Sequence, residues 1–271
     1  MRQVVLVLIP CLMQTSSGAF ERVVQGGKLA AMGGAVAASA NDTWASFSNP
    51  GTLPTVTLST LSLAYIPGQF GMAELARSAI SFTSPTGAGV FAIGASRFGF
   101  DLYNEFTVSI GFGHRFNPLI SAGLTLNYNR LSIAHYGNDW CVGLDLGVLL
   151  TISEKVQWGF AAYNINAPCI GDENEKLPEM LVTGIRFVPI SGALLQVDVQ
   201  KDIIYPIEIC FGAEYTLFDT IAIRGGGDFG LTTFSSGLGL QVDSFTLDYA
   251  ISMHPDLGST HQLSISFSFG Q

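Results

Sequence analysis

From about residue 55 onward, apolar residues alternate one for one with small or polar ones, and this period of two constrains the fold more than any other feature. In the clearest stretch Phe106, Val108, Ile110, Phe112, His114 and Phe116 share one face, while Thr107, Ser109, Gly111, Gly113 and Arg115 share the other. The pattern repeats over 120–129, 141–152, 207–217, 245–251 and 262–269. Weaker versions occupy roughly 55–66, 74–84, 88–97, 156–165, 179–188, 193–200, 220–227 and 233–242. Successive side chains of a strand point to opposite sides, so each segment predicts a strand with one apolar face. Together they give about fourteen strands of about ten residues, the length a tilted strand needs to cross a bilayer.

Composition says where the apolar faces go. Only 12% of the 271 residues are charged and mean hydropathy is +0.39, so apolar surface must be exposed somewhere. After the N-terminus no run of about 18 apolar residues exists to make a membrane helix. A water-soluble sandwich is the alternative, but so few charges would poorly solvate its surface. The expectation is therefore an all-β protein: a transmembrane antiparallel up-and-down barrel with lipid outside and a polar lumen inside. A closed barrel also leaves no unpaired sheet edge in lipid.

Loop lengths suggest an orientation. Short connections at Pro85-Thr86-Gly87, Asn117-Pro118, Ser153-Glu154-Lys155, 189–192, Phe218-Asp219 and Asp243-Ser244 alternate with longer ones near 98–105, 130–139, 166–178, 201–206 and 252–261. Outer-membrane barrels pair short periplasmic turns with longer extracellular loops, so both termini are expected in the periplasm.

Residues 1–19 read as a Sec-type signal peptide, with Arg2 ahead of an apolar Val4–Met13 and small residues at Ser17-Gly18-Ala19. A buried first strand or helix is the alternative. Cys141, Cys169 and Cys210 would remain after cleavage, at spacings that give neither a zinc set nor a disulfide framework. No cofactor and no metal site is expected.

Residues 20–54 do not alternate, and the barrel is assigned to 55–271. Small residues dominate Gly27–Ala40, and Asn41-Asp42 and Asn49-Pro50-Gly51 carry turn or cap chemistry. A fourteen-strand lumen is too wide for wall side chains to fill, so this partly helical segment is expected to plug it. A flexible leader is the alternative.

Met32-Gly33-Gly34-Ala35-Val36-Ala37, Ala40-Asn41-Asp42, Ala45 and Asn49-Pro50-Gly51-Thr52-Leu53 resemble a pattern of the FadL-like outer-membrane superfamily, closest to its PorV/PorQ branch. Gly51-Thr52 stands where that branch has Ala-Gly, and Gly258-Ser259-Thr260-His261 is similar to the start of its last strand. The resemblance implies a barrel with an N-terminal hatch. It implies transport of hydrophobic compounds across the outer membrane, or a non-conducting scaffold role in a type IX-like secretion system. Hydrophobic small molecules or secreted proteins are then the implied partners, beside outer-membrane lipid and lipopolysaccharide. This chain is shorter than typical members, which implies reduced loops.

Charged residues on the polar faces are Arg115, Asp145, Arg186, Asp198, Glu208, Glu214, Arg224, Asp228 and Asp248. In lipid each would be costly near the midplane, about 2–4 kcal/mol for an arginine and less for a carboxylate, so they are expected to face the lumen. There they could clamp the plug or tune selectivity; simple solvation of the interior is the plainer reading. The run 172–176 reads as a solvated loop tip, with divalent cation binding as the alternative. The net charge of -9 and scattered basic residues exclude nucleic acid. His114, His135, His254 and His261 form no recognisable Ser-His-acid set by spacing, and no catalytic residue is expected. A barrel-embedded lipid hydrolase would require a Ser and a His adjacent on the outer rim.

Overall fold

The computed structural model describes residues 19–171, 174–230 and 232–270. The signal-peptide reading lies almost wholly outside them. The wall runs through β1 (Ser59–Ile66), β2 (Arg77–Thr86), β3 (Gly89–Gly99), β4 (Tyr103–Arg115), β5 (Ile120–Ile133), β6 (Gly137–Thr151) and β7 (Val156–Tyr163). A small hairpin follows, β8 (Cys169–Ile170) with β9 (Glu175–Lys176), outside the wall sheet. The wall resumes with β10 (Met180–Phe187), β11 (Ala193–Asp202), β12 (Ile207–Leu217), β13 (Ile221–Asp228), β14 (Phe234–Val242), β15 (Phe245–His254) and β16 (Gly258–Phe269). Every neighbouring pair is antiparallel, and β1 closes the sheet by pairing with β16 as well as β2. This is a closed barrel of 14 strands, the number the alternation predicts.

The alternation also assigns the faces. In β1, Leu61, Leu63 and Tyr65 point outward and exposed, whereas Thr60, Ser62 and Ala64 are buried inside. Leu63 sits opposite Ile265 on one neighbour and Ile80 on the other, so apolar rows continue around the outside. Each row places cross-strand neighbours side by side. Small polar residues pair inside in the same way, as when Ser62 Oγ meets Ser266 Oγ at 2.8 Å.

Three expectations change. Residues 55–58 are not strand: Thr55 ends a 3₁₀ turn, and Val56 is buried in the lumen. Most of the long loops are short. The strands continue as ladders past the length of a bilayer crossing, so β4, β5 and β6 reach 13, 14 and 15 residues. Ile133 pairs directly with Gly137, which leaves only 134–136 between β5 and β6. At that mouth the long connections are 67–76, which was not expected, and 164–179, which carries β8 and β9.

The first and last described residues lie at opposite mouths. Phe269 pairs with Ser59 at the short-turn mouth. Phe20 lies at the opposite mouth, where its N–H donates to Glu105 Oε1 near the start of β4 at 2.9 Å. The chain therefore enters the lumen at the long-connection mouth and crosses it before β1 begins.

Candidate functional site

Between Phe20 and Ser59 the chain passes through the barrel and touches wall on every side. Helix α1 (Gly27–Ala31) lies against β13 to β16, and Gly27 N–H donates to Ser264 Oγ at 2.9 Å. Thr43 meets the first two strands: Ser62 Oγ donates to its hydroxyl and Ser81 Oγ to its carbonyl, both at 2.8 Å. The 3₁₀ turn Pro50–Thr55 packs on β3 to β7. Leu29, Ala37, Trp44 and Leu53 are buried, so apolar contact holds the segment as well as hydrogen bonds.

Local chemistry explains the path. Gly33 and Gly34 take left-handed conformations (φ 66 and 78), which turn the chain after α1. Asn49 caps the 3₁₀ turn by accepting Gly51 N–H at 2.8 Å, with Pro50 at its first position. Its amide also donates to the carbonyls of Ala37 (2.5 Å) and Val148 (3.2 Å), tying the turn to the rest of the segment and to β6. Asp42 accepts from Trp44 N–H at 3.0 Å and Ser48 Oγ at 3.2 Å, and burial pushes its carboxyl up to about 6.

The wall is shaped to receive the segment. On the inner faces, glycines stand where the segment approaches. A methyl group at Gly113 would lie 2.8 Å from Leu53 Cβ, at Gly237 2.6 Å from Ala31 Cβ, and at Gly212 2.5 Å from the Met32 carbonyl. Gly123, Gly147 and Gly159 leave room in the same way for Pro50, Asn49 and Ala37. Sequence reasoning counted these glycines only as members of a polar face. The available signal was their restriction to the inward phase of the strands.

The luminal charges sort into three groups. Asp198 is fully buried and accepts the N–H groups of Val36 (2.5 Å) and Ala37 (2.6 Å). Asp145, also buried, faces Arg22 at 3.5 Å. The Arg22 guanidinium lies 3.3 Å from the centre of the Tyr163 ring and donates to the Phe47 carbonyl. Arg115 donates to the Pro54 carbonyl at 3.2 Å. These three wall charges hold the segment.

A second group is Arg224 of β13, which donates to Glu214 on the adjacent β12 at 2.5 Å and, reaching past Gly239 of β14, to Asp248 on β15 at 2.6 Å. The rest bond to wall partners: Arg186 to Gln157 (3.0 Å), Glu208 to the Cys210 thiol (3.8 Å), and Asp228 to Thr232 and Thr233. Simple solvation does not describe Asp145 or Asp198, which are 1% and 0% exposed. Of the run 172–176, Glu175 and Lys176 form β9, and 172–173 lie outside the described residues.

Cavities lie on both sides of the segment. Toward the short-turn mouth is a polar vestibule of about 510 Å³, lined by Lys28, Asp42, Glu214, Arg224 and Asp248 among others. Toward the other mouth is a cavity of about 270 Å³, bounded by Arg22, Pro178, Met180, Gln200 and Tyr205 among others.

Among the described residues, one Ser-His neighbourhood occurs on the outer rim. Ser259 Oγ is 3.5 Å from His261 Nε2, and the Tyr249 hydroxyl is 2.7 Å from Nδ1. The serine contact is at the limit of a hydrogen bond, and the group on Nδ1 is a phenol rather than a carboxylate. This is not the arrangement an acyl-transfer triad needs.

No family profile and no curated protein sequence matches the chain. Its fold, a closed fourteen-strand barrel with a segment inside, is shared by solved barrels. The chain is similar to the CymD monoaromatic hydrocarbon channel, with TM-score 0.69 at 15% identity over 93% of this chain and 100% of that one. It is similar to the Ralstonia pickettii toluene transporter TbuX, with TM-score 0.68 at 14% identity over 90% and 98% of the two chains. A Pseudomonas aeruginosa FadL homologue gives 0.60 at 13% identity over 89% and 97%. These likenesses show the fold.

Proposed function

We propose that this protein is a FadL-like outer-membrane channel for hydrophobic small molecules, gated by its own residues 20–58. The observation that carries this reading is the seated segment. It crosses the lumen between two cavities and is held to the wall by non-covalent contacts, with hydrogen bonds spread from Phe20 to Pro54 and the Arg22–Asp145 ion pair. The similar solved barrels named as toluene and monoaromatic hydrocarbon transporters support the substrate class. The exposed apolar exterior supports a membrane location, and the signal-like N-terminus supports Sec export to the outer membrane. In this reading the short turns and the end of β16 face the periplasm, and the mouth near Phe20 faces outside.

The mechanism follows from the contacts. A hydrophobic solute enters at the Phe20 mouth and rests against Pro178 and Met180. It passes when the segment lifts from Asp198 and its glycine seats, and leaves through the polar vestibule. The test is flux of a hydrocarbon into proteoliposomes. A chain lacking 20–53 should leak, and the same flux from both proteins would overturn gating by the segment. Uptake by the intact chain no faster than through protein-free liposomes would overturn transport.

A second reading rests on the close packing of the lumen, which suits a scaffold that conducts nothing. The PorV/PorQ-like pattern over 32–53 supports a part in protein secretion. Co-purification of secreted proteins with the intact barrel, together with zero conductance, favours this reading.

A further inference from the structure

β6 outruns the strand beside it. Its Leu146–Thr151 stretch pairs with Gln157–Ala162 of β7, but Gly137–Asp145 continues toward the mouth with no ladder partner on that side among the described residues. An open edge of this length would invite pairing with other chains and is costly in or near lipid. The connection after β7 covers it. Ile165 N–H donates to the Leu144 carbonyl at 2.9 Å, and Leu144 N–H donates to Asn166 Oδ1 at 2.8 Å. Asn166 Nδ2 donates to the Val142 carbonyl at 2.8 Å, and Gly171 N–H to Asp139 Oδ2 at 2.5 Å.

These contacts set a register. The Asn166 side chain meets Leu144 and the Asp139 side chain meets Gly171, so the connection runs antiparallel alongside β6. Three steps from the first contact, Cys141 falls opposite Cys169. Cys141 is buried against Ile170, the neighbour of Cys169. β8 lies in direct contact with β6, and a disulfide asks for Cα atoms roughly 4.4–6.8 Å apart. Both are free thiols in this structure, and the Cys169 thiol points to the Ala167 carbonyl at 3.7 Å.

We propose that Cys141 and Cys169 form a disulfide that staples the 164–171 connection over the open edge of β6. The two thiols give up two protons and two electrons to a disulfide-bearing oxidant, whose own disulfide becomes two thiols. Exchange passes through a mixed disulfide with one of the cysteines. Cys210 is left free: it is held on β12 by Gln200 Nε2 at 3.3 Å and by Glu208. The staple matters for the entrance, because Leu177 and Pro178, just after β9, line the cavities at that mouth.

The experiment uses the full chain, isolated from cell envelopes by acid quenching and alkylated under denaturing conditions without reductant. Peptide mass spectrometry should find a reducible Cys141–Cys169 pair and an alkylated Cys210. Reduction, or Cys169→Ser, should raise hydrogen exchange at Ile165 and Gly171 several-fold, while Cys210→Ser should leave both the pair and the exchange unchanged. Alkylation of both Cys141 and Cys169 that persists after treatment with oxidised glutathione overturns the proposal, as does a cross-link from either to Cys210.

Discussion

Replacing Asp198 by alanine tests how the luminal segment is held. Asp198 sits on β11, fully buried, and its Oδ2 accepts the N–H groups of Val36 and Ala37 at 2.5 and 2.6 Å. Removal orphans two buried donors, at about 1–3 kcal/mol each, for a sum of about 2–6 kcal/mol against the seated segment. Water entering the vacated space makes the lower end the expectation. A loss of about 2 kcal/mol raises the unseated fraction roughly 30-fold, since each 1.4 kcal/mol is tenfold. Asp198→Asn keeps an acceptor oxygen and should fall between alanine and wild type. The assay is hydrogen exchange at Val36 and Ala37, with heat-dependent gel mobility to show that the barrel is folded. Unchanged exchange at both amides in a folded Asp198→Ala barrel would refute the clamp.

Three further outcomes follow from the same contacts. Gly159→Val and Gly212→Val place a side chain where Ala37 and Met32 sit, so each should unseat the segment and raise proteolysis within 27–55 without preventing barrel formation. The Asp42 carboxyl, raised to about 6 in the seated state from 3.8, favours seating when protonated. Its contribution is full below pH 3.8 and is lost as pH rises to about 6. A shift of that size corresponds to at most about 3 kcal/mol. Asp42→Asn should flatten the pH dependence of exchange at Trp44. Arg224→Met leaves Glu214 and Asp248 without their shared cation and should destabilise the barrel by about 3–5 kcal/mol, read from its urea midpoint. Equal midpoints for Arg224→Met and wild type would show that the triad is solvated rather than structural.

Much of the wall was legible in the sequence. The alternation of Leu61 with Thr60 and Ser62, repeated along the chain, sets strand number and faces, because a strand has only two sides and here one must meet lipid. The cap at Asn49-Pro50-Gly51 was legible too, since its chemistry is local. Loop lengths were not. A ladder grows for as long as its neighbour continues, and residues 130–139 carry no sign that Ile133 pairs with Gly137.

The sequence by itself determined a closed barrel of fourteen strands, its apolar exterior and a non-alternating segment ahead of the first strand. Only the tertiary structure decided where that segment goes: in at the mouth of Phe20, across the lumen, and onto Asp198. Alternation is a nearest-neighbour property and can be read along one chain. The seat for Ala37 is made by Gly159 and Asp198, more than a hundred residues away, and exists only once the barrel has closed.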